Sequence, residues 1–246
     1  MDRALYVAMT GATQTMRAQA VNNNNIANAS TLGFRAEIAA LQAKAVDGPG
    51  QPTRVNALAV DSGWDSSMGS LMQTGNPLDV ALRENSWLAV QAPDGTEAYT
   101  RAGDLRTNAL GQLQTGAGHL VMGDGGPISV PPNASVSIGG DGTISIVPLG
   151  QDPATLASVG RLKVVDADAS QLERGADGLM RATAGTTLNA SAGNVVSSGV
   201  LESSNVNLPQ AMVNMIGLAR QFELQVKMMK SIEDNATAAQ SVMRMG

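Results

Sequence analysis

The chain has 246 residues and a formal net charge of −5, with 15% charged and 2% aromatic residues, no Cys and a single His. These values exclude disulfides, thiolate metal sites, a Cys nucleophile and multi-His metal clusters, and they argue against a nucleic-acid partner, which gathers Lys and Arg onto one face. A core so poor in rings must be filled by aliphatic and Met side chains, and the chain has 13 Met.

At the amino end, Leu5, Met9, Ala12 and Met16 recur at intervals of four and three residues, the spacing of one helix face. Gln19 and Asn23 interrupt that seam before Ile26. The four Asn at 22–25 are weak helix formers, so the pattern predicts a helix that frays or bends there. Asn28 supplies a stop, and Gly33 supplies turn freedom before Phe34. Residues 4–9 are too short and too soon polar for a cleaved secretory signal. No stretch approaches the ~20 apolar residues of a membrane span.

Residues 45–72 carry few large apolar side chains and include Gly48-Pro49-Gly50 and Pro52, which predicts an extended connector with one strand near 55–60. From 76 to 206, short alternating runs lie between Gly and Asp turns. Runs at 86–92 and 97–101 flank Asp94-Gly95. Val136, Ile138, Ile144 and Ile146 alternate on either side of Gly139-Gly140-Asp141-Gly142, a hairpin pattern. Runs at 161–166 and 193–201 complete a β-rich body.

Beyond Pro209 there is no further Pro, and Ala211, Met215, Leu218, Phe222, Met229, Ile232, Ala236, Ala239 and Met243 form a seam of about five heptads with one polar gap at Gln225. At ~1.5 Å per residue, residues 210–244 give a helix about 50 Å long. Asn205 or Asn207 caps it, and Pro209 fits its first turn. One narrow seam does not offset the backbone entropy lost in ordering such a helix, so the seam needs a partner: the other end of the chain, further copies, or both. The expected fold class is α+β. Terminal helices at 1–35 and 207–246 form a coiled-coil domain, an extended connector spans 36–75, and a central, mainly antiparallel β domain spans 76–206.

No constellation of catalytic residues is convincing. His119 sits in an apolar run with no nucleophile elbow to serve, which points to a structural role. Asp61 with Asp65, and Asp166 with Asp168, lie in polar, turn-like surroundings and read as solvated loop charges. The run from Asp166 to Asp177 lacks the Gly and the terminal Glu of a calcium loop. Gly123-Asp124-Gly125-Gly126 has no Lys of a phosphate loop and reads as a tight turn. No metal, cofactor or catalytic residue is expected.

Asn25-Ile26-Ala27-Asn28-Ala29-Ser30-Thr31-Leu32-Gly33-Phe34-Arg35 resembles the amino-terminal signature of bacterial flagellar rod and hook proteins. Thr74-Gly75-Asn76-Pro77-Leu78-Asp79-Val80-Ala81 is similar to the start of their β domain, and Tyr99-Thr100-Arg101-Ala102-Gly103 and residues 123–128 to later blocks of it. Gly199-Val200-Leu201-Glu202-Ser203-Ser204-Asn205-Val206 is similar to their return into the closing helix. The blocks stand in the family's order along the whole chain. The opening Met1-Asp2-Arg3-Ala4-Leu5-Tyr6, the short middle and the tail Lys230-Ser231-Ile232-Glu233-Asp234-Asn235-Ala236 resemble the F-type proximal branch of the basal-body rod family. Glu84-Asn85-Ser86-Trp87-Leu88 departs from the family's usual Gly-x-Gly turn followed by two aromatics. Asn85 tolerates a left-handed turn and Trp87 keeps one ring, so the hairpin is expected to survive.

The resemblance implies a non-enzymatic structural subunit of the proximal rod. It implies export through the flagellar type III apparatus without signal cleavage, and polymerisation with copies of itself and other rod proteins into a periplasmic shaft. That shaft transmits torque and encloses an export channel, with the terminal helices lining the tube and the β domain outside. The residues expected at the assembly interface are Leu5, Met9, Ala12, Met16, Asn25, Ile26, Asn28, Gly33, Phe34, Asn205, Val206, Met215, Leu218, Phe222, Met229 and Ile232. The alternatives are another axial protein of distal rod or hook type, and a β-rich ligand-binding or adhesin module with coiled-coil ends.

Overall fold

The computed structural model describes residues 3–45, 55–152 and 155–244, so the features read at Met1-Asp2 and at 48–52 lie outside the described residues. The chain divides into two compact units: residues 1–29, 36–65 and 206–246 make the helical unit, and residues 30–35 and 66–205 make the β unit. Helices at both ends and antiparallel sheets between them give the expected α+β class.

The helical unit holds α1 (Arg3–Ala27), β1 (Glu37–Ala45), β2 (Val55–Trp64) and α2 (Leu208–Arg244). The 37 residues of α2 make it about 55 Å long. Asn207 is its cap: the side-chain oxygen accepts the Gln210 N–H at 3.1 Å, while the carbonyl accepts the Ala211 N–H at 2.9 Å. At the other end of the unit, α1 stops at Ala27, where Asn28 closes the last turn onto the Asn24 carbonyl at 3.1 Å. Against expectation, α1 does not fray at 22–25 but continues helical to Ala27. Asn22 donates to the Ala211 carbonyl at 2.9 Å, and Asn25 bonds both backbone groups of Glu37, so tertiary bonds override the weak local propensity.

The expected connector carries two strands rather than one. β1 and β2 pair antiparallel from Glu37↔Trp64 to Ala45↔Val55, with an irregularity between Glu37 and Ala39. The β1 sequence, Glu-Ile-Ala-Ala-Leu-Gln-Ala-Lys-Ala, is rich in helix formers. Its strand character comes from pairing with β2, which no local window reports.

The β unit begins with β3 (Leu71–Gln73), β4 (Val80–Leu82), β5 (Ser86–Gln91), β6 (Glu97–Thr100), β7 (Leu105–Thr107), β8 (Leu113–Thr115) and β9 (Leu120–Gly123). It continues through β10 (Gly126–Pro127), β11 (Asn133–Ile138), β12 (Thr143–Pro148), β13 (Ala157–Arg161) and β14 (Val164–Asp166) to β15 (Leu172–Arg174), β16 (Met180–Ala182), β17 (Val196–Ser198) and β18 (Val200–Glu202). The largest sheet runs β15-β16-β6-β5-β9-β8-β7, with β10 joined to β9 and β14 to β5. The hairpins expected at 86–101 and 136–146 are β5–β6 and β11–β12. Asn85 turns into β5 with φ 62°, the left-handed conformation its side chain tolerates, and Trp87 behind it is buried.

Leu88, Val90, Leu105, Leu113, Val121, Ile144 and Val164 lead an almost wholly aliphatic core. Met plays little part in it. Met180 is buried, whereas Met9, Met16, Met212, Met215, Met228 and Met243 are exposed on the two helices. Of the expected aliphatic and Met filling, the aliphatic part holds and the Met part is corrected: most thioethers of the two helices lie on faces that the chain itself leaves open.

Candidate assembly interface

The two helices run antiparallel, with Asn22 against Ala211 and Gly11 and Thr15 against Gln225. Small side chains set this contact. A Cβ on Gly11 would come within 3.1 Å of the Gln225 amide nitrogen, and the Thr15 hydroxyl lies 3.2 Å from Gln225 Oε1. Gln225, the polar gap in the seam of α2, is thus matched by a polar and small patch on α1. Ala8, Ala12, Gln14, Thr15 and Asn22 are the buried side chains of α1. On α2, Ala211 is buried and Leu218, Phe222, Gln225, Met229, Ile232 and Ala236 are half-buried at alternating steps of four and three.

The large apolar residues of α1 turn away from that contact. Leu5 is 41% exposed, Met9 51% and Met16 57%, and only Ala12 of the expected amino-terminal seam is buried. The pair-forming stripe is displaced to Ala8, Gly11, Ala12 and Thr15, because helix axes approach closely only where side chains are small. α2 likewise exposes Met212, Val213, Ile216, Leu224, Val226 and Met228. Between α1, β1 and α2 lies an open groove of about 670 Å³, walled by Ala18, Val21, Ile38, Val213 and Leu218, with Asn22 and Asn25 at its polar side. A soluble domain rarely leaves so much apolar helix surface uncovered unless something docks there.

Asn25 ties the helix to the hairpin. Its amide donates to the Glu37 carbonyl at 2.9 Å and its oxygen accepts the Glu37 N–H at 2.8 Å, completing a two-bond bridge. Asn25→Ala is expected to weaken this attachment by about 1–2 kcal/mol. Protease nicking within β1 should then accelerate in the full chain, and unchanged cleavage would show that the bridge is not what holds the hairpin.

In the β unit, three of the motif blocks converge on Glu202. Its Oε2 receives Arg101 Nε at 2.8 Å and Nη2 at 2.6 Å, and its Oε1 receives Arg35 Nη1 at 2.7 Å and the Gly69 N–H at 2.9 Å. All three charged side chains are at most 2% exposed. Arg101 spends its other N–H groups on the carbonyls of Leu82, Arg83 and Ser86, and its guanidinium lies 5.6 Å from the centre of the Trp87 ring. Glycines make room for the cluster. Gly33 has φ 65°, and a Cβ there would fall 2.4 Å from the Arg101 carbonyl carbon; one on Gly103 would meet the Val80 oxygen.

Several residues expected at an assembly interface therefore act inside the chain. Gly33 donates to the Glu202 carbonyl, the Phe34 ring packs 4.7 Å under the Arg174 guanidinium, and Asn205 donates to the Ser67 carbonyl at 3.0 Å. Ile26, Asn28 and Val206 are half-buried. Ala8, Gly11, Thr15 and Asn22 were not legible as contact residues, since no apolar periodicity marks them. The Arg35–Glu202–Arg101 cluster had one available signal: full charges inside otherwise uncharged motifs of a weakly charged chain.

Of the carboxylates weighed as catalytic candidates, Asp166 and Asp168 have structural roles. Asp166 accepts hydroxyls from Ser86 and Ser191, each at 2.6 Å. Asp168 and Gln171 cap a single turn of 3₁₀ helix at Ala169–Gln171, where a calcium loop would need a Gly. The backbone of His119 pairs with Thr115. Among the described residues, no group of three His, Asp or Glu is placed to hold a metal, and no helix is long and apolar enough to cross a membrane.

Comparison with known proteins follows the same blocks. Residues 5–35 match the family "Flagella basal body rod protein", residues 81–146 match "Flagellar hook protein FlgE/F/G D1 domain", and residues 197–242 match "Flagellar basal body rod FlgEFG protein C-terminal". The flagellar basal-body rod protein FlgF of Escherichia coli K12 is 48% identical over 251 aligned residues, covering 100% of both chains. The chain belongs to the FlgF family of flagellar basal-body rod proteins. FlgF of Salmonella typhimurium LT2 is 47% identical over the full length of both chains, whereas FlgG of Buchnera aphidicola (Schizaphis graminum) is 29% identical over 92% of this chain and 94% of its own. The F-type assignment rests on the two full-length FlgF matches. The FlgF family is structural and not enzymatic, and it is a family of motility components.

Proposed function

We propose that this chain is a subunit of the proximal rod of the flagellar basal body, which polymerises through its terminal helices into a periplasmic shaft and export channel. The observation that carries this reading is the outward apolar face of the helix pair: Leu5, Met9 and Met16 on α1, and Met212, Ile216 and Leu224 on α2. Covering that face with helices of neighbouring subunits removes apolar area from water at about 25 cal/mol per Å², and supplies the partner that a long, narrow seam requires. The partners are copies of this chain, other rod proteins and the flagellar type III export apparatus, through which it passes without loss of a signal peptide. Asn25, Gly33, Phe34 and Asn205 then contribute by fixing the strands that lead to the helices.

A strain deleted for this chain is expected to be non-motile, with basal bodies that lack a complete rod in electron micrographs. Restoring the full-length chain restores both. Motile deletants with intact rods would sink the proposal, and an unprocessed amino terminus on the basal-body protein tests the export route.

A further inference from the structure

The groove of the helical unit is three-sided. Val21 of α1, Ile38 of β1 and Val213 and Leu218 of α2 wall it, and its rims are apolar, with Val213 63% and Ile38 44% exposed. Gly217 lies on its α2 wall. Gly is a poor residue for a helix interior, yet a Cβ on Gly217 would meet no atom of the described residues within 4 Å. Gly11 on α1 is different, since Gln225 of the same chain crowds it. Packing within the chain accounts for Gly11 and leaves Gly217 unaccounted for. A bare patch on one helix is what lets the axis of a second helix come close.

Glu37 is the one charged residue lining the groove. The occupant that matches is the amino-terminal stripe of α1 from a second copy. It supplies Leu5, Met9 and Met16, all exposed, with exposed Arg17 next to Met16. No acidic residue occurs anywhere in α1. The exposed face of α2 fits less well, because Glu223 adjoins Leu224 and would bring a second carboxylate toward Glu37. A chain cannot fill its own groove with this stripe, since the stripe and the wall at Val21 belong to successive parts of one continuous helix. We infer that the groove beside Gly217 takes the Leu5–Met16 face of a neighbouring copy of this chain. Stripe and groove are different surfaces, so the contact is heterologous. Each copy that docks leaves its own groove open for the next, and the series closes as a ring or grows as a helical array. This rests on the rod reading above and adds which surface of one subunit enters which surface of the next.

The chain has no Cys, so introduced thiols report alone. Full-length Met9→Cys/Val213→Cys is expressed beside the wild-type copy, so that rods form, and isolated basal bodies are oxidised. Within one chain Asn22 faces Ala211 and Gly11 faces Gln225, which sets residues 9 and 213 about 16 Å apart along the helix axes. A disulfide spans less than ~7 Å between Cα atoms, so it forms only between copies. The expected result is a ladder of cross-linked dimers and larger products on non-reducing gels, with none from either single variant. Gly217→Leu in the double variant should cut the ladder about tenfold, because it fills the space the incoming helix uses, while the purified chain keeps its wild-type circular dichroism. Gly217→Ala, the better helix former, should cut it less and unfold no earlier in urea, which separates lost docking from lost folding. No ladder from the double variant, dimers from either single variant, a product containing another protein, or a ladder that falls only together with helix content would each overturn the assignment. Rods built without the ladder sink the groove alone, whereas a deletion strain that swims without any copy of the chain sinks the rod reading.

Discussion

Arg101→Met is expected to lower the unfolding free energy of the β unit by about 3–5 kcal/mol, the usual consequence of removing one partner from a buried charge pair. The substitution takes away both bonds to Glu202 Oε2, leaves the carbonyls of Leu82, Arg83 and Ser86 without their guanidinium donors, and strips the cation from the Trp87 ring. Met approximates the volume of the lost side chain, so the loss reports polar bonds more than a cavity. Arg35→Met should cost less, because Arg101 stays in place to hold Glu202, the carbonyls of Leu82, Arg83 and Ser86, and the Trp87 ring. Urea unfolding of the two full-length variants, followed by far-UV circular dichroism and Trp fluorescence, measures both losses. Equal midpoints for the two variants would contradict the larger share assigned to Arg101.

The contrast between these arginines shows which parts of the molecule were legible in advance. The long carboxyl-terminal helix was, because its cap, its seam and its freedom from Pro all act locally: Asn207 caps it, and the half-buried stripe follows the spacing read from the residues. The β5–β6 and β11–β12 hairpins were legible for the same reason, since Asp94-Gly95 and the Gly-rich 139–142 turn determine them at short range. Long-range bonds were not. The Asn run at 22–25 reads as a helix breaker until Ala211 and Glu37 supply partners for its side chains. The β1 strand resembles a helix until β2 pairs with it. Apolar periodicity marked Leu5, Met9 and Met16 correctly as one face of α1, yet could not tell a face turned to α2 from one turned outward. That choice depends on how closely two helix axes approach, which is decided by Gly11, Ala12 and Thr15 rather than by the largest side chains.

This division of α1 into two faces makes the strongest prediction about assembly. Leu218→Asp places a carboxylate on the half-buried side of α2 and on the wall of the groove, with no cation brought in to pair with it. Its cost should exceed the roughly 1 kcal/mol of an average substitution, and it falls on the helical unit. Full-length Leu218→Asp is expected to lose helix content, to leave the urea midpoint of the β unit where it is in wild type, and to give non-motile cells without complete rods. Met229→Asp, on the same stripe, should behave alike. Met16→Asp separates the two ways in which such variants fail. Its side chain points outward, so a charge there leaves the pairing of α1 with α2 untouched and helix content normal, yet it faces whatever neighbour covers the exposed apolar surface. If neighbouring subunits do cover that surface, Met16→Asp also abolishes swimming, this time with an intact monomer. Swimming Met16→Asp cells would confine the role of α1 to pairing within its own chain and would leave its Leu5, Met9 and Met16 face without a part in the rod.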